Sequence, residues 1–332
     1  MKRNVFSALG FVLTASAAFG GVSHIRSVKS IEGGKPPEGY VPALVSNGSL
    51  TFGVDWRLGN CDLAYESFST GIYREGVRHP DRSYELFDYG RMTSHIEVDG
   101  IVHDRPQTWG QTLDLRKAKV GVSSEYPGAI SFSGELFVHG DSDAVVIRQC
   151  VSNASDQVKS LRLGVRYAVP VDDRVSDAAW HPSGNGASYR FRAHLLKVSK
   201  ECIGLSGAAG AKFESKEGYG LLSESFRLEP GASKVCDWVV AFDGGKALKR
   251  DEYVKSHEAA WRRYTGESYV RLPDKRIQRM FEMANYHLRC VATKWSIPVG
   301  ILPSNGAGRY SPLMSFMRVR RCLRPITFPL RG

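Results

Sequence analysis

The period of the hydrophobic pattern changes once along this chain, and that change limits what it can fold into. From about Tyr40 to Phe242, apolar residues come in short alternating runs broken by Gly, Pro, Asn and Asp; from Ala247 they recur at helical spacing. Leu50 to Val54 follows Ala43-Leu44-Val45 across Asn47-Gly48, an NG hairpin signal. His95 to Val98 and Ile101 to His103 flank Asp99-Gly100 in the same way. Ile130 to Val138, Ala144 to Val151, Leu161 to Tyr167, Tyr189 to Leu195 and Cys236 to Phe242 read as further strands, with Leu228-Glu229-Pro230-Gly231 as the turn before the last. Many strands without an intervening helix predict a large antiparallel sandwich.

Two helices are expected next. Ala247 to Tyr264 lacks Gly and Pro and carries Leu248, Tyr253, Val254, Ala260, Trp261 and Tyr264 along one side, with Gly266 as its stop. Leu272-Pro273-Asp274 then signals a helix start. Ile277, Met280, Phe281, Ala284, Leu288 and Val291 follow at helical spacing, a face fit for burial with no third helix after it to cover it. A Gly/Pro-rich loop is expected from Trp295 to Tyr310.

Charge first suggests a polyanion partner: 45 basic and 34 acidic side chains give +11. Its distribution argues otherwise. Lys2 and Arg3 supply +2, and Arg318, Arg320, Arg321, Arg324 and Arg331 supply +5, leaving +4 over nearly 300 residues. No zinc-finger spacing, RNP stretch or basic helix accompanies it, so nucleic-acid binding is not expected. Lys2-Arg3, the apolar run Val5 to Ala18 and the small residues around Ala17 and Gly20 form a signal peptide over 1–20. The run is shorter than the ~20 residues of a spanning helix. The expectation is an exported protein, periplasmic or extracellular, with no stable membrane insertion after cleavage; oligomeric state is left open.

Cys61, Cys150, Cys202, Cys236, Cys290 and Cys322 have no metal-ligand spacing, and no HxH or HExxH occurs, so neither metal nor cofactor is expected. Most of the cysteines read as small buried hydrophobes. Asp172-Asp173 reads as surface acids, and the sequons at Asn47 and Asn153 carry little meaning.

Across residues 40–310 the order of several short features resembles the bacterial six-hairpin glycosidase superfamily, which includes maltose phosphorylase-like and alpha-fucosidase-like enzymes. These are the Asn47-Gly48-Ser49 hairpin, the Leu228 to Gly231 turn, His257, Trp261, Leu272-Pro273-Asp274, the Ile297 to Ile301 loop and Gly308-Arg309-Tyr310. The resemblance implies a mainly β fold: a large antiparallel β-supersandwich at 21–243, a helical linker at 244–268, and the first helix of an incomplete (α/α)6 barrel at 269–310. It implies a carbohydrate partner, as either a glycoside hydrolase fragment or a non-catalytic glycan-binding module. Trp295, Asn305, Arg309 and Tyr310 are the candidate sugar contacts, through ring stacking and hydroxyl hydrogen bonds. No catalytic residue is assigned, because glycoside cleavage needs paired carboxyl groups and no Asp or Glu follows Glu282. Residues 311–332 have no period and five arginines. Read one frame over, synonymous codons from Leu313 can encode a carboxylate-bearing segment, so this tail is expected to be aberrant and frameshifted, and the chain truncated.

Overall fold

A computed structural model describes residues 25–30, 32–38, 40–60, 72–78, 84–169, 175–193, 200–242, 250–267, 269–292 and 309–310. Expectations for the signal peptide, Asp172-Asp173, residues 295–308 of the Gly/Pro-rich loop, and the 311–332 tail fall outside these residues. The strands in chain order begin with β1 Ile25–Lys29, β2 Ala43–Ser46, β3 Thr51–Val54, β4 Tyr73–Arg78, β5 Tyr84–Asp88, β6 Arg91–Val98 and β7 Ile101–Val102. Next come β8 Thr108–Asp114, β9 Lys119–Tyr126, β10 Ile130–Val138, β11 Ala144–Asn153, β12 Lys159–Ala168 and β13 Val175–Ser183. Then follow β14 Gly186–Ala193, β15 Lys200–Gly207, β16 Lys212–Lys216, β17 Tyr219–Leu228 and β18 Ser233–Ala241, the helices α1 Arg250–Glu267 and α2 Lys275–Val291, and β19 Arg309–Tyr310.

Among the described residues all strand pairs are antiparallel and form three sheets. A nine-stranded sheet runs β1-β8-β9-β10-β11-β18-β15-β14-β13, one five-stranded sheet β16-β17-β12-β6-β7, and the other β19-β5-β4-β3-β2. The mainly β, sandwich-like fold expected from the period is the one observed, with two α-helices among the described residues.

Alternation explains the core. In β12, Leu161, Leu163, Val165 and Tyr167 point inward and are buried, while Arg162 and Arg166 point outward. The outward arginines are engaged: Arg162 donates to Ser223 Oγ at 2.8 Å and Glu214 Oε1 at 2.5 Å, and Arg166 lies 3.9 Å over the Tyr219 ring. β11 opens instead with four consecutive buried residues, because both of its faces are covered. Val145 and Ile147 join the sandwich core, whereas Ala144 and Val146 pack under α1 with Phe137, Val239, Ala241 and Tyr253.

The DG signal forms the expected two-residue turn, with Val98 opposite Ile101 and positive φ at both Asp99 (51°) and Gly100 (82°). The NG signal forms a longer loop than expected. Ser46 pairs with Thr51, so Asn47 to Leu50 make four connecting residues, because the Asn47 side chain accepts from the Ser49 and Leu50 amides at 2.8 Å each. Among the described residues α1 covers Arg250–Glu267, so it runs through Gly266 rather than stopping before it. Cys236 and Cys290 are buried, Cys150 and Cys202 half-buried, and all four are free thiols. Asn153 is buried, its amide donating to Gln157 O and Leu228 O, so that sequon is closed to modification in the folded chain.

The apolar stripe of α2 is left uncovered by the described residues, as expected. Ile277, Met280 and Leu288 are 54%, 62% and 42% exposed, while Gln278, Tyr286 and Cys290 are buried. The face turned to the sandwich is a row four residues apart that ends in hydrogen bonds: Gln278 to Glu282, and Tyr286 OH to Leu44 O at 2.6 Å. Those bonds and the Tyr286 ring outcompete the stripe for contact with the sandwich.

A candidate functional site at the junction of sandwich and helices

Three of the features that carry the family resemblance, the Asn47 loop, His257 and Trp261, are linked through His139 and Tyr286, whereas the Leu228 to Gly231 turn lies against Asn153 at the other end of β11. The Asn47 to Leu50 loop lies against α2, and its polar atoms are closed off. Asn47 Nδ2 donates to His139 O (3.0 Å), Ser142 O (2.9 Å) and Asp143 Oδ1 (3.3 Å). Asp143 Oδ2 accepts from Ser49 Oγ at 3.0 Å and Arg74 Nε at 2.6 Å. Gly48 sits at φ +81°, and that conformation requires glycine; the nearest atom to a Cβ there, Arg289 Nη1 at 2.5 Å, is the end of a flexible side chain on α2. Gly140 is needed by space alone: a Cβ would lie 2.7 Å from Ala260 Cβ of α1.

α1 lies on the outer face of the nine-stranded sheet through Tyr253, His257 and Trp261. Burying Tyr253 and Trp261 contributes on the order of 2 kcal/mol each. An alternating charge ladder holds the helix: Glu258–Lys119 (2.9 Å), Lys119–Glu135 (3.6 Å), Glu135–Arg250 (2.6 Å), Arg250–Asp237 (3.4 Å) and Asp237–Arg148 (2.8 Å). Hydrogen bonding to Lys119 holds the Glu258 carboxyl below the usual range.

Two histidines fill the gap between helix and sheet. His257 is fully buried, tilts against Phe137 at 4.2 Å between ring centroids, and donates from Nε2 to Lys117 O at 2.7 Å. Burial pushes its pKa down to about 4. His139 lies between Ser142 Oγ (2.7 Å) and Ser256 Oγ (2.8 Å), and burial lowers its pKa as well. Further along, Trp261 stacks on Tyr286 at 5.5 Å, and Tyr264 OH donates to Asn285 at 3.2 Å, so the helices support one another. Trp261 belongs to the main core and Tyr264 packs partly buried against it.

Of the four candidate sugar contacts, Trp295 and Asn305 lie outside the described residues. Arg309 and Tyr310 are not loop, as expected, but the short strand β19, with Arg309 opposite Glu85 and Tyr310 opposite Tyr84. The edge of β5 offers unpaired backbone groups, and these two residues take them up. They therefore belong to the sheet that contains β2 and β3, whose connecting loop carries Asn47. Asn47, Asp143, His139 and Tyr286 hold this junction and were not singled out as candidates. Asp143 and His139 carry no local motif; the i, i+4 row through Gln278, Glu282, Tyr286 and Cys290 was readable but competed with a stronger apolar stripe.

The acids around the junction serve as ion-pair or hydrogen-bond partners. No group of three side chains suited to a metal ion occurs among the described residues, and none of the described helices is long and apolar enough to cross a membrane.

A human-microbiome protein described as a kojibiose phosphorylase superposes with a TM-score of 0.57 at 10% identity, over 75% of this chain and 39% of its own. The likeness is one of fold. A bacterial glucoamylase complexed with acarbose matches at TM-score 0.43 and 8% identity, over 81% of this chain and 44% of its own. A galactose mutarotase-like protein from Lactobacillus casei reaches 0.31 at 8% identity, over 60% of this chain and 99% of its own. The chain thus spans less than half the length of the first two. No family model matches the sequence, and no curated protein does.

Proposed function

We propose that this is an exported carbohydrate-active protein, built as the amino-terminal part of an enzyme acting on glycosidic bonds of oligo- or polysaccharides. The observation that carries the reading is the superposition on the phosphorylase-described chain, which extends over three quarters of this one. In this reading 21–243 is the supersandwich, 244–268 the linker and 269–310 the start of an (α/α)6 barrel. The outward apolar stripe of α2 supports the last boundary, since an inner helix of a larger helical array presents such a face.

The reading also makes the chain catalytically incomplete as written. Cleavage needs an acid and a second carboxylate, or phosphate in its place, on either side of the bond. Asp143, Glu135, Asp237 and Glu258 are each engaged by a cation, and Asp274 caps α2. The engagement of these acids favours, as a second reading, a glycan-binding module without chemistry.

The test is calorimetric titration of the full chain with neutral oligosaccharides of varied linkage, beside hydrolysis and phosphorolysis assays on the same panel. Binding without turnover is expected. Absence of binding across the panel overturns the carbohydrate assignment, and turnover overturns catalytic incompleteness.

A further inference from the structure

We propose that the contact between α1 and the nine-stranded sheet is an acid-labile clasp, which releases the helix as pH falls from neutral towards 4 while the sandwich stays folded. The geometry supplies the mechanism. His257 and His139 lie with ring centroids 6.4 Å apart between helix and sheet, and both are buried. His257 has one polar neighbour for its donor, Lys117 O, and its Nδ1 is enclosed without a hydrogen-bond partner. A proton placed on Nδ1 would therefore be a buried charge with nothing to accept from it. The same proton is free of cost once the helix has lifted and the ring meets water.

The surrounding charges shape the response. From the β8–β9 turn and β9, Lys117 and Lys119 face the pair, and Lys119 opposes a proton on His257; so does His139. From β10 and the loop after it come Glu135, Asp141 and Asp143, of which Asp141 favours a proton on His139. From β11 and β18 come Arg148 and Asp237, bound to each other. α1 contributes Arg250, Glu258, Arg262 and Arg263, and Glu258 favours a proton on His257 while its own carboxyl is held by Lys119. A carboxylate that is lost in acid weakens the ladder, so both kinds of group move the helix in the same direction.

The sign follows from linkage. Both imidazoles bind protons more weakly docked than free, so their contribution is complete above the free value of about 6.5 and is lost progressively as pH falls from there to the docked value. With the docked value of His257 near 4, release should become roughly thirtyfold more favourable between pH 7.5 and 5 through this residue alone. His139 adds to it.

Hydrogen exchange of the full chain tests the clasp, after correction for the intrinsic pH dependence of exchange. Amides of Arg250–Glu267 should open about thirtyfold more often at pH 5 than at pH 7.5, while those of Ile130–Val138 and Lys159–Ala168 stay far better protected than the helix at both. His257→Gln keeps an N–H for Lys117 O and cannot titrate in this range, so its α1 response should shrink to what His139 supplies; His139→Asn checks that remainder. Should either variant fail to fold, the unmodified chain still decides. Unchanged α1 protection at pH 5, loss of helix and sandwich together, or a step confined below pH 4.5, where carboxylates titrate, each overturns the proposal.

Discussion

Gln149 ties two layers of the sandwich together with one side chain. It is fully buried in β11, donates to Gly164 O in the facing sheet at 3.1 Å and accepts from Trp238 Nε1 at 2.9 Å. Gln149→Leu would keep the volume but orphan a buried indole N–H and a buried carbonyl. The expected loss is about 2–4 kcal/mol, read as a lower urea midpoint with an unchanged slope. Asn47 makes a similar argument through charge: Asn47→Asp would turn three donor contacts into repulsion from two carbonyls and Asp143, costing about 3 kcal/mol or more. Only part of this was legible. Asn47-Gly48 announced a turn because both residues tolerate positive φ, whereas the contacts of Asn47 lie 92–96 residues away, beyond any local pattern.

At the level of elements, α2 shows what a hydrophobic period does and does not contain. It fixed the helix, and Asp274 caps it by accepting from the Arg276 and Ile277 amides at 2.7 and 2.9 Å. It did not fix which face meets the sandwich, because periodicity describes a helix and not its neighbours. Ile277→Glu and Met280→Glu should therefore leave stability within ~0.5 kcal/mol and reduce self-association, measured by light scattering. Tyr286→Ala, on the row that does meet the sandwich, should cost about 3–5 kcal/mol. Equal costs for the two kinds of substitution would contradict the orientation. β19 was missed for a related reason: two residues have no period, and their pairing exists only because β5 supplies an edge.

For the whole molecule, stability should fall in mild acid, earlier than carboxylates alone would require. Besides His139 and His257, burial and then Arg162 hold His95 below the ordinary imidazole value on the five-stranded sheet. All three contribute fully above ~6.5 and lose that contribution as pH drops. His257 alone accounts for about 3 kcal/mol, lost in full below its docked value of about 4; urea midpoints between pH 7.5 and 4 check this. The mainly β class and the turn to helices were legible because alternation and turn chemistry are local. The candidate site was not, since the junction is assembled from residues as distant as Leu44 and Tyr286. That topology also sets a clock on biosynthesis. β11 must wait for its partner β18, and the Gln149–Trp238 bond spans 89 residues, roughly 5–20 s of ribosome time at ordinary elongation rates. For that interval the Val145-Val146-Ile147 edge stands bare, so a holdase that masks extended apolar segments should raise the yield of native chain more than one that acts after release.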